Sequence, residues 1–126
     1  MANILVVDDQ PFPGEVLKNE MEAEGHHITC VGDADCDMSA IKESSPDLVL
    51  LALCMQGFGG WGLLDEIKKY APSLPVLIMS TFDSFVDDPR LARADGYVIK
   101  DPNIDQLKQK IRENLARLGI QRVNPR

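Results

Sequence analysis

Soft metal ligands are few in this 126-residue chain: three cysteines, Cys30, Cys36 and Cys54, and two histidines, His26 and His27. An odd number of thiols cannot all pair within one molecule, and no two of them share the short Cys-x-x-Cys spacing of a zinc knuckle. Their scatter excludes the disulfide framework of a small secreted domain and suits reduced thiols in a core. Long apolar runs are missing as well. Met1 to Asn3 lead directly into Ile4 to Val7 and then Asp8 and Asp9, so the opening has neither the basic flank nor the apolar length of a secretory signal, and nothing reaches membrane-spanning length. A cytoplasmic location with no membrane contact is expected. Positive charge is in deficit, 13 Lys and Arg against 20 Asp and Glu, and the resulting net charge of −7 repels a phosphate backbone. No nucleic-acid binding by this domain is expected. The basic residues near the end, Lys108, Lys110, Arg112, Arg117, Arg122 and Arg126, carry no binding motif and read as the solvated face of a last helix followed by a tail.

What the chain does have is alternation. With 44 % hydrophobic residues it can bury one substantial core, so residues 1–120 are expected to form one domain and 121–126 a tail or the start of a linker. Ile4 to Val7 is a continuous apolar run ended by acids, as in a strand buried on both faces. Pro11 and Pro13 open a helical segment with Phe12, Val16 and Ala23 on one stripe, Leu17 and Met21 beside it, and Gly25 closing it. His27 to Val31 predicts a more polar edge strand, and Asp33 to Lys42 a short helix with Cys36, Ala40 and Ile41 inward. Asp47 to Ala52 is the third strand. A glycine-rich loop, Gly57 to Gly62, precedes a helix over Leu63 to Tyr70 with Leu63, Leu64 and Ile67 facing the sheet. Val76 to Met79 and Tyr97 to Lys100 complete the strands, with room between them only for a short helix around Arg90 to Ala94 because Pro89 interrupts. Ile104, Leu107, Ile111, Leu115 and Leu118 recur at helical spacing, behind Asn103 and Gln106 as a capping pair.

Five strands alternating with five helical segments specify an α/β fold, a parallel sheet covered on both faces by right-handed crossovers. In such sheets the functional crevice lies beyond the carboxyl ends of the strands. That rule selects Asp8 and Asp9 after the first strand, Ala52 to Met55 after the third, Ser80 and Thr81 after the fourth, and Lys100 after the fifth. Adjacent carboxylates at the end of a buried strand need a cation, and Lys100 is the natural answer. Carboxylates that hold Mg²⁺, with Lys and Ser on phosphoryl oxygens, make a sensible phosphoryl site. A flavin-type phosphate loop is excluded, because Asp8-Asp9-Gln10 would repel the phosphate.

Four stretches, ILVVDDQ (Ile4 to Gln10), PDLVLL (Pro46 to Leu51, followed by Gly60), LPVLIMST (Leu74 to Thr81) and DGYVIK (Asp95 to Lys100), stand in the order and spacing of one family. From Asn3 to about Leu118 the chain resembles the receiver domain of two-component response regulators. The resemblance implies a doubly wound, flavodoxin-like five-stranded parallel sheet of strand order 2-1-3-4-5. It also implies phosphoryl transfer from a histidine kinase to an aspartate ending the third strand. Carried over, Asp8 and Asp9 match the acidic metal ligands, Cys54 the backbone-carbonyl ligand, Ser80 the switch hydroxyl with Thr81 beside it, Tyr97 the rotating aromatic and Lys100 the phosphoryl-site lysine.

The acceptor position is Ala52. A methyl group cannot attack phosphorus and gives no oxygen to a metal, so the acyl-phosphate route is expected to be closed and Mg²⁺ binding weak, with no other cofactor. Gln56 and Gly59 replace the usual Pro and Asp of the loop, and Asp101 replaces the usual Pro after the lysine. Two origins stand open: a natural pseudo-receiver, or a receiver whose acceptor was exchanged for alanine. The expected activity is protein-protein signalling rather than enzymatic turnover, through the side formed by the fourth helical segment, the fifth strand and the last helix. The expected partners are a histidine kinase or another signalling protein, an output domain or a second copy. Phe58 and Trp61 read equally as a docking patch or as a lid over the sheet. A phosphatase or hydrolase using Asp8 as nucleophile is the alternative of a different class.

Overall fold

The computed structural model describes residues 2–8, 10, 14–32, 38–53, 59–80, 87–101 and 103–119. Five strands, β1 (Asn3–Val7), β2 (His27–Val31), β3 (Leu48–Ala52), β4 (Val76–Ser80) and β5 (Gly96–Ile99), form one sheet of order β2-β1-β3-β4-β5. Every pairing is parallel. Among the described residues the helices are α1 (Gly14–Ala23), α2 (Met38–Ser44), α3 (Gly59–Tyr70) and α4 (Asp105–Arg117), with a 3-10 turn at Pro89–Arg93 between β4 and β5. The parallel sheet expected from the alternation and the doubly wound order 2-1-3-4-5 implied by the family resemblance are both observed.

Burial follows sheet position. All five residues of β3 and all five of β4 are buried, as strands covered on both faces must be, while the edge strands β2 and β5 bury little. The core runs from Ile4 to Val7 through Leu48 to Ala52 and Val76 to Met79, and is closed by Leu17, Met21, Ile41, Leu64, Ile67, Leu107, Ile111 and Leu115.

Several expectations about helices need correction. The buried face of α1 is Gly14, Leu17 and Met21, at spacings of three and four, and Val16 is 39 % exposed, with Ala23 exposed too. Gly14 sets this rotation: a Cβ there would lie 2.9 Å from Cys30 Sγ, so only a glycine face can approach β2 so closely. Phe12, the other member of the expected stripe, lies outside the described residues. Gly25 does close the helix, at φ 93, with the His26 amide donating to the Met21 carbonyl at 3.0 Å as in a Schellman cap. Within the described residues α2 covers Met38–Ser44 with Ile41 buried and Ala40 partly so, and Cys36 lies outside them. The glycines expected as loop are helical from Gly59, because Leu63, Leu64 and Ile67 bury one face and tertiary packing outweighs the roughly 1 kcal/mol that each glycine costs a helix. At the far end, Leu118 is 43 % exposed and falls off the buried stripe of α4. The Asn103 side chain accepts from the Asp105 amide at 2.8 Å, which realises half of the expected capping pair, while Gln106 is exposed.

The basic face of α4 is not simply solvated. Lys108 pairs with Glu20, and Arg112 with Glu24, joining the last helix to the first across the same face of the sheet. These carboxylates hold the Lys108 and Arg112 pKa values above their ordinary range. Among the described residues, no helix is long and apolar enough to cross a membrane.

Candidate functional site

Parallel register sets the crevice. Val7 pairs with Leu51, Ala52 with Met79 and Ser80 with Ile99, so Asp8, Ala52, Ser80 and Lys100 come out together at the carboxyl edge of four adjacent strands. Backbone bonds hold the strand ends in place: Asp8 donates to the Val31 carbonyl at 3.0 Å, Leu53 to Met79 at 2.9 Å and Lys100 to Ser80 at 2.7 Å. The sequence rule that selected these positions therefore selected neighbours. β5 ends at Ile99, one residue earlier than predicted, and Lys100, still tied to β4 through its amide, sends its side chain back to Asp8 at the end of β1.

The Lys100 ammonium forms an ion pair with Asp8 Oδ2, and both side chains are almost wholly buried, at 7 % and 3 % exposure. The other Asp8 oxygen, Oδ1, accepts from the Gln10 amide at 3.0 Å. Between them, Ala52 is fully buried and adds only a methyl, and the fully buried Ser80 ends β4. A buried ion pair of this kind survives because each charge answers the other where water does not reach.

The described residues suit a divalent cation only in part. Mg²⁺ wants near-octahedral oxygen ligands, and Asp8 offers one carboxylate whose inward oxygen already faces an ammonium. No group of three or more Asp, Glu, His or Cys among the described residues is placed to hold a metal. Asp9, Cys54, Phe58 and Thr81 lie outside the described residues.

Tyr97 is half-buried and packs against the core. The half-buried Trp61 ring lies beneath the Arg90 guanidinium, 4.2 Å from its centroid, so in this structure it covers the 3-10 turn. That turn begins at Pro89, its N-cap Asp88 accepting from the Arg90 amide at 2.9 Å and gripping the Arg90 side chain at 2.7 and 3.0 Å. The Arg90 contacts hold the Asp88 carboxyl down to about 2 from an ordinary 3.8. Because the folded value is the lower one, this cap contributes fully above about pH 4 and is lost as the pH falls towards 2. A carboxyl titration followed by NMR should place Asp88 near pH 2, and Arg90→Ala should move it back towards 3.8.

Asp88, Arg90, Arg93 and Asp65 were not singled out by the sequence reading. The signal that would have found them is spacing: Trp61 and Asp65 one α-turn apart, Arg90 and Arg93 one 3-10 turn apart. Cys30, on the edge strand, has its thiol pushed up by partial burial, opposed by Lys18, which makes it a poor nucleophile.

A doubly wound sheet of order 2-1-3-4-5, with an acid after β1, a hydroxyl ending β4 and a lysine after β5 converging on one edge, defines a receiver-type signalling domain. Residues 4–112 match the response regulator receiver domain, and the chain belongs to that family. The probable transcriptional regulatory protein TcrX of Mycobacterium tuberculosis is 31 % identical over 125 residues, covering 98 % of this chain and 53 % of TcrX, so the chain spans about half the length of that relative. The response regulator TrrA of Thermotoga maritima, solved in complex with Mg²⁺-BeF, is 33 % identical with a TM-score of 0.78, covering 91 % of this chain and all of TrrA. TrrA has also been solved with the histidine kinase ThkA. The receiver domain of NtrX from Brucella abortus is likewise 33 % identical, with a TM-score of 0.78 over 90 % of this chain and 98 % of its own.

Proposed function

We propose that this receiver domain signals by protein-protein contact in one fixed chemical state, and that position 52 accepts no phosphoryl group. The observation that carries the reading is Ala52 at the end of β3, beside an acid and a lysine that already neutralise one another. Phosphoryl capture needs an oxygen nucleophile, and a methyl has none. Its partners are a histidine kinase or another signalling protein, an output domain or a second copy of the chain. The TrrA complex with ThkA supports a kinase as the partner class. The Mg²⁺-BeF complex of TrrA supports Mg²⁺ as the ion this crevice would take, held weakly here by Asp8 with Asp9 and the Cys54 carbonyl. We read the domain as a non-enzyme acting in the cytoplasm, a pseudo-receiver by descent or by exchange of its acceptor.

Incubation with Mg²⁺ and a small phosphodonor, followed by intact-mass measurement, should leave the mass unchanged. A stoichiometric phosphoryl adduct that neutral hydroxylamine releases, as it does an acyl phosphate, would overturn the proposal, and hydrolysis of any member of a phosphoester panel would return the Asp8 hydrolase to consideration.

A further inference from the structure

The short turn between β4 and β5 carries a second feature, separate from the crevice. On α3, Trp61 and Asp65 are four residues apart and share a face. On the 3-10 turn, Arg90 and Arg93 are three residues apart, and at three residues per turn they stack above one another along one edge. The two faces meet as two rungs. Arg90 lies over the Trp61 ring at 4.2 Å, with its guanidinium aimed by Asp88, and Arg93 pairs with Asp65, which Lys69 also approaches at 3.8 Å. None of the residues of this turn is fully buried, and its apolar hold on the core is the partly buried Leu91, so the polar contacts carry a large share of its seating.

We infer that the Trp61–Arg90 and Asp65–Arg93 rungs form a polar clamp that seats the 3-10 turn on α3 and so holds the side of the domain next to β5 in one arrangement. The inference goes beyond the proposed function and does not rest on the chemistry at position 52, because the ring contact and ion pairs that make the clamp are formed without Asp8, Ala52 or Lys100. The type of force sets the behaviour. Arg90, Arg93 and Asp65 side chains are 56 %, 49 % and 45 % exposed, so the ionic rung is screened by salt while the packed sheet is not. The clamp is therefore adjustable: a partner that offers its own carboxylates to Arg90 and Arg93 would compete directly with α3 for the turn.

Amide hydrogen exchange on the intact chain tests this. In the double variant R90A/R93A, exchange of amides 90–94 should accelerate about 3- to 10-fold while the β3 and β4 amides stay unchanged. In the wild-type chain, raising the salt to 0.5 M should accelerate the same amides and leave β3 and β4 unaffected, and the double variant should lose that salt response. Trp61 is the chain's single tryptophan, so its emission should shift in R90A and report the upper rung alone. The charge exchange D65R/R93D should restore slow exchange that R93D alone loses. Unchanged exchange at 90–94 in R90A/R93A, or equal acceleration throughout the sheet, would overturn the clamp.

Discussion

Replacing Ala52 by Asp is expected to turn an inert chain into one that takes up a full equivalent of phosphoryl group from a small donor. The new carboxylate would stand at the end of β3, on a strand between those that carry Asp8 and Lys100. One of its oxygens would attack phosphorus, the donor's leaving group would depart with the bonding pair, and the product would be an acyl phosphate, recognised by intact mass and base lability. The substitution also inserts a charge at a fully buried position, so without added cation the variant should be less stable than the parent, and Mg²⁺ should recover part of that loss. Continued inertness of a folded Ala52→Asp chain would assign the defect also to the sequence after β3, where Gln56 and Gly59 replace the family's usual residues, or to Asp101 after the lysine.

Lys100→Met should be the most damaging single change in the crevice. It leaves the Asp8 carboxylate buried without its ammonium partner, and breaking a buried pair from one side costs on the order of 3 kcal/mol. For a domain of this size the melting temperature should fall by roughly 10 °C. The double variant Asp8→Asn with Lys100→Met removes both charges and should recover much of the loss. Equal melting temperatures for the single variant and the parent would show that the pair contributes nothing and that water answers Asp8 instead.

Strands and crevice were legible because their signals are strong and local. Continuous apolar runs at Ile4 to Val7 and Leu48 to Ala52 admit one reading in a parallel sheet, and the residue after each run must lie on the functional edge. Helix rotation was less legible. The face of α1 was misjudged because Val16 is as apolar as Leu17, and what decides between them is a contact to Cys30 that only a glycine at position 14 permits. Gly59 to Gly62 looked like loop by composition, yet the helix they join is held by residues further on. The clamp was invisible for a related reason: Trp61 stood out as a docking patch or a lid, but Asp65, Arg90 and Arg93 each read as an ordinary surface residue, and the pattern exists only between two elements brought together by the fold.

The bonds from α4 to α1 and to Glu24 just after it bear on how this domain is made. Lys108 to Glu20 and Arg112 to Glu24 each span 88 residues of sequence, and the apolar stripe of α4 closes the same face of the sheet. During synthesis that face stays uncovered until α4 has left the ribosome, so a chain that stops short of Leu115 would expose the central strands to other nascent chains and to chaperones.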